Sequence, residues 1–105
     1  MMFHIAELHA WEAAQSVGSY AAESLAIEGF IHCSTVAQVL DTAQRYYVGR
    51  TGLVLLEIED RGLDVRWEQA PSGEKFPHAY GRIPLTKVLQ NRAFEPDASG
   101  AFTLG

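Results

Sequence analysis

Leu53-Val54-Leu55-Leu56-Glu57-Ile58 most narrows what this chain can become. A run of strand length with a single polar residue has no face to offer water, so it belongs at the centre of a sheet covered on both sides. The rest of the chain must supply those covering layers. At 105 residues there is room for one domain, spanning 1–105, and not for two.

One layer is written clearly. Val36, Val39, Leu40, Ala43, Tyr46 and Tyr47 recur at helical spacing and make one apolar stripe. Thr35 and Gln38 fit a capping box at its start, and Gly49 closes it. An earlier helix carries Leu8, Trp11, Ala14 and Val17, with Gly18 as its stop. The stretch 18–26 has no period and reads as a loop anchored by Tyr20 and Leu25.

Strands account for most of the remainder. Met2 to Ala6 opens the chain, with Phe3 and Ile5 on one face and His4 on the other. Phe30 to Cys33 is a second strand, handing over to the capped helix. Leu63, Val65 and Trp67 alternate with Asp64, Arg66 and Glu68, which makes Trp67 a core aromatic and Glu68 a solvent-facing acid. Phe76 to Ile83 is extended, and Pro77 suggests an edge position or a strand start. A turn over 84–89 leads to a last strand near Arg92-Ala93-Phe94, followed by a loosely specified tail from Glu95 to Gly105. Two early helices and then mostly strands make an α+β domain.

Charge and cysteine usage exclude some functions. A net charge of −5 argues against a partner held by its nucleic-acid phosphates. Six of the eight basic residues are arginines, dispersed along the chain, so a small local basic patch is compatible with this. A lone cysteine forms no internal disulfide, and no signal sequence or membrane-length apolar run occurs, so the expected setting is cytoplasmic with no membrane partner.

Chemistry-bearing residues gather in Glu28-Gly29-Phe30-Ile31-His32-Cys33-Ser34-Thr35. His32 shares a strand face with Phe30, opposite Ile31 and Cys33, and so faces a cleft if one exists. His32 cannot serve as base to Cys33, because neighbours on a strand point apart, and the thiol reads as core. The Thr35 hydroxyl is wanted as a helix cap, while the same helix end offers amides to a phosphate or carboxylate. Ser34 has no competing role and is the better ligand contact. His78 and Tyr80 face the same way, suited either to stacking on an adenine or nicotinamide ring or to packing an edge strand. His4 is either a hydrogen-bonded structural histidine or a site residue. A metal held by His4, His32 and His78 is conceivable, but no ligand spacing announces one and none is expected.

Together, His4 in an opening strand, Gly29 to Thr35 leading into a helix, Leu53-Val54-Leu55-Leu56, and Phe76-Pro77-His78-Ala79-Tyr80-Gly81 resemble the bacterial and plant domain-of-unknown-function family 952 (DUF952). That family in turn is similar to the ADP-ribosyltransferase-like fold group. There, a histidine or arginine on the first strand, a Ser-Thr strand before a helix and a glutamate on a late strand surround NAD. His4 matches the first position and Ser34-Thr35 the second. The third has His78 and Tyr80 but no acid, with Glu68 on a neighbouring strand as the candidate replacement.

The resemblance implies an ADP-ribosylation-like fold of mostly antiparallel strands with two helices near the N-terminal half. It implies a cleft lined by Phe30, His4, His32, Ser34, Thr35, His78 and Tyr80 that binds NAD or a related small nucleotide. Catalysis there would cleave the nicotinamide–ribose bond and transfer ADP-ribose to an acceptor or water. His4 would orient the ribose, Ser34 would hold a polar edge, and His78 or His32 would move the proton. The alternatives are a non-catalytic nucleotide- or anion-binding module and, third, a histidine-based metal hydrolase. All three readings place His4, His32 and His78 around one hollow.

Overall fold

The computed structural model describes residues 1–104. Its elements in order are β1 (Met2–Glu7), α1 (Leu8–Val17), β2 (Ser19–Tyr20), α2 (Glu23–Glu28), β3 (Ile31–His32) and α3 (Val39–Tyr46). β4 (Leu53–Ile58), β5 (Val65–Gln69), β6 (Lys75–Ala79), β7 (Ile83–Pro84), a 3-10 turn at Leu85–Lys87 and β8 (Val88–Ala93) complete them. The class is α+β, and every described strand pairing is antiparallel.

The apolar run takes the position its composition demands: β4 is the middle strand of the sheet β1–β4–β8. Alternation sends Val54, Leu56 and Ile58 into one core with Met2, Ala6, Ala14, Tyr20, Ile31 and Cys33. Leu53 and Leu55 enter the second core, with Phe3, Ile5, Val39, Ala43, Phe94 and Phe102. α1 and the sheet β3–β6–β5 cover the first face, and α3 with the C-terminal segment covers the second.

Among the described residues, a crossing of the chain from pairing with β6 to pairing with β1 joins the two larger sheets. Cys33 N–H donates to the Pro77 carbonyl at 3.0 Å, but proline has no N–H to return the bond, and the β3–β6 ladder ends there. The next residue pairs with β1 instead: Phe3 N–H donates to Ser34 O at 2.7 Å and Ser34 N–H to Phe3 O at 2.8 Å. β3 therefore lies between the inner core and the outer face of β3–β6–β5.

Several expectations are corrected. A third helix and a strand occupy the unpatterned stretch after Gly18: α2 and β2. α2 is a six-residue helix with no buried residue, too short and too exposed to print an apolar period. α3 begins at Val39, although the capping bonds form upstream, with Gln38 N–H donating to Thr35 Oγ1 (3.2 Å) and Thr35 N–H to Gln38 Oε1 (3.0 Å). Val36 therefore lies in the preceding turn, and it and Tyr46 are exposed rather than part of the stripe. Pro77 sits in β6, the central strand of its sheet, where its missing donor coincides with the end of β3. Trp67 is 53% exposed, since β5 is an edge strand and the core under its alternating face stops at Val65. The final strand starts early, at Val88, and the tail is anchored by Phe102, buried against Phe94.

Candidate functional site

The outer face of β3–β6–β5 carries the chemistry. Antiparallel register aligns His32 with His78 and His78 with Arg66 across the three strands. Alternation adds Tyr80, two residues beyond His78, and Glu68, two beyond Arg66, to the same face. Glu68 is the hub. Its Oε1 accepts from Tyr80 Oη at 2.5 Å and from His78 Nδ1 at 2.7 Å. Those bonds, Tyr80 first, hold the Glu68 carboxyl below its usual range and keep it ionised. The same bond raises Tyr80, because losing the phenolic proton would set two anions together.

Aromatic and cationic groups frame this acid. Phe30 stacks on His78 with centroids 4.2 Å apart and planes 12° from parallel. It meets His32 edge-on at 4.8 Å and Tyr80 at 5.4 Å. The Arg66 guanidinium lies 4.1 Å from the Tyr80 ring centroid, gripped by Asp64 through Nε and Nη2 at 3.3 and 3.1 Å. His32 Nε2 faces the Glu28 carboxylate at 3.1 Å.

His4 is not part of this face. Its ring lies behind β3, 6% exposed. Nδ1 is 2.6 Å from the His32 carbonyl, which only accepts, so Nδ1 carries the proton. Nε2 then accepts from the Tyr20 hydroxyl at 2.7 Å. Burial pulls the His4 pKa down to about 4, outweighing the bond to His32, and pushes buried Tyr20 up. The ring is neutral and both nitrogens are taken. The hollow shared by His4, His32 and His78 does not form, and neither does a metal set built from them.

Ser34 and Thr35 are also drawn away. Ser34 is buried, its backbone spent on the bridge to Phe3 and its hydroxyl 3.4 Å from Thr42 Oγ1. Thr35 Oγ1 caps Gln38. Neither side chain lines the outer face, whereas Phe30, His32, His78 and Tyr80 do. Cys33 is in the core, where burial pushes its thiol up to about 12 and makes it a poor nucleophile. Among the described residues no three His, Cys, Asp or Glu side chains converge as a metal cluster.

Sequence reasoning read Glu68 as a solvent-facing acid and named it only as a possible substitute, and it gave Arg66 no role. Alternation had put Glu68 and Arg66 on one face of β5. Their meeting with His78 and Tyr80 depends on the register that the 70–74 turn imposes between β5 and β6.

The fold and this face together define an α+β domain whose split sheet presents an aromatic–carboxylate surface. The chain belongs to the family described as "Protein of unknown function (DUF952)", matched over residues 5–91. It is similar to CC0527 from Caulobacter crescentus. The crystal structure of that protein superposes with a TM-score of 0.89 at 32% identity, covering 99% of this chain and 94% of that one. The solution NMR structure gives 0.85 at 32% identity, with 99% and 92% covered. No curated protein matches. No described helix is long and apolar enough to cross a membrane.

Proposed function

We propose that the outer face of β3–β6–β5 binds NAD or a related ADP-ribose-type nucleotide, with Glu68 receiving a ribose hydroxyl. The observation that carries this reading is the Glu68 carboxylate itself. Tyr80 and His78 fix Oε1, while Oε2 accepts no bond from a described residue and belongs to a half-exposed side chain. An immobilised, ionised acceptor with one free oxygen suits a sugar hydroxyl. His78 and Tyr80 offer the π-faced wall a base requires, with Phe30 packed over them, and Arg66 has N–H groups beyond those Asp64 takes, suited to a phosphate.

This arrangement supports an ADP-ribosyltransferase-like reading in altered form. The late-strand acid comes from β5 as Glu68. His4 acts from behind, holding the His32 carbonyl rather than the ribose. Bound NAD supplies a nicotinamide–ribose bond whose cleavage builds positive charge on the sugar. Glu68 places a fixed negative charge beside that position, and His32 offers an exposed imidazole for proton transfer to an acceptor or water.

The openness of the face favours a second reading, a module that binds the nucleotide without cleaving it. The Glu68 side chain is 41% exposed and that of His32 54%. Water reaching both weakens charge stabilisation more than it weakens stacking. Thermal denaturation with NAD and with ADP-ribose tests the binding common to both: each should raise the melting temperature of the wild type and raise that of Glu68→Gln less at the same concentration. Nicotinamide release over hours then separates enzyme from module. No shift with either nucleotide overturns both readings.

A further inference from the structure

Phe30 covers the rings a nucleotide base would have to reach. Its phenyl is near-parallel to His78, edge-on to His32 and tilted against Tyr80, so one flat ring already occupies the place that those three side chains surround. The backbone at this point is held. Ser24 Oγ donates to the Phe30 carbonyl at 2.7 Å, and Gly29, at φ 92°, caps α2 with its N–H on the Ser24 and Leu25 carbonyls. The phenyl itself is half-buried and makes its contacts through the side chain, so displacing it takes a rotation about its own side-chain bonds. Two carboxylates, Glu28 and Glu68, rim this place through His32 and His78. The same face already stacks one flat cation, the Arg66 guanidinium on Tyr80.

We propose that the place Phe30 occupies is the seat for the ligand's planar nitrogen heterocycle, that it takes a cationic ring of the pyridinium kind, and that this ring enters by displacing the phenyl. The inference rests on the nucleotide reading of the same face and adds to it which ring binds and what stands in its place beforehand. A flat cation gains attraction from the aromatic faces and from both carboxylates, which a phenyl does not. Phe30 is thus an internal competitor, and apparent affinity falls by the fraction of molecules in which it is seated.

Calorimetric titration with nicotinamide mononucleotide, oxidised and reduced, into the wild type, Phe30→Ala and Phe30→Leu tests this. Phe30→Ala should bind the oxidised form at least about fivefold more tightly than the wild type, with Phe30→Leu between them, and the oxidised form should outbind the reduced one. In the wild type, the Phe30 ring-proton resonances should move toward unstacked values at saturation. Equal or weaker binding by Phe30→Ala, or ring protons that do not move, overturns displacement and leaves the nucleotide site standing. Preference for the reduced form overturns the cationic class alone. Binding by none of the three proteins overturns the seat and the nucleotide reading together.

Discussion

Two histidine–tyrosine groupings lie on opposite sides of β3, and they use the same side chains to opposite ends. Behind the strand, His4 donates to the His32 carbonyl and accepts from the Tyr20 hydroxyl, sealed from water. In front of it, His78 and Tyr80 both bond Glu68, beside an exposed His32. The inner group is neutral, saturated and locked. The outer one holds an ionised acid with an oxygen to spare. Residue type does not distinguish them; burial and a carboxylate do. A satisfied buried histidine is scaffold, whereas a partly open one beside an acid is equipped to bind and to move protons.

The strongest way to break this contrast is to truncate each side in turn. His4→Ala strips partners from the Tyr20 hydroxyl and the His32 carbonyl and opens a cavity, and should cost about 4 kcal/mol in urea unfolding. His78→Ala, which loses its stacking on Phe30 and its bond to Glu68, should cost less, about 1–2 kcal/mol, and remove the stabilisation by NAD. A loss under about 1 kcal/mol for His4→Ala would end the structural assignment.

Acid titration probes the same pair with the sequence intact. Folded His4 takes its proton only near pH 4, whereas the unfolded chain takes it near 6.5. Between those values the unfolded state binds more protons, so stability falls as pH falls, by up to about 3 kcal/mol. The lowered carboxylates Glu59, Asp60, Glu68 and Asp97 add their losses only near and below their ordinary values of 4.5 and 3.8. Urea midpoints between pH 7 and 5 should therefore slope in the wild type. They should flatten in His4→Gln, whose amide keeps a donor and an acceptor but does not titrate.

On the outer side, Glu68→Gln should weaken NAD binding by about tenfold or more. It should also let Tyr80 titrate lower, since the hydrogen bond to a carboxylate that chiefly raises it, and the charge with it, are gone, as followed by phenolate absorbance against pH. The smallest effect belongs to Glu28→Gln. Its exposed pairing with His32 should contribute no more than about 0.5 kcal/mol to unfolding, and a larger change would make the rim structural.

Legibility differed with the range of the interaction involved. The Leu53–Ile58 run, α1 and the Thr35–Gln38 capping bonds were readable because each depends on residues within a few positions. α2 was not, for want of a buried stripe. Alternation put Trp67 on the correct face but carried no information on where the underlying core ends. At the site, Phe30, His32, His78 and Tyr80 were named and do share a face, while His4, Ser34 and Thr35 were named and do not. Ser34 was misread because its role is to bridge to Phe3, 31 positions away in the sequence.

The order of apolar and polar residues was enough to place β4 centrally, to locate α1 and the later capped helix, and to give the α+β class, while particular motifs, not patterning, carried the resemblance to the family. Which histidine is scaffold and which faces solvent was decided only when β3 crossed from β6 to β1. Periodicity assigns a side chain to one of two faces. What lies against that face, and whether water reaches it, depends on segments far away in the chain and on the register in which they pair.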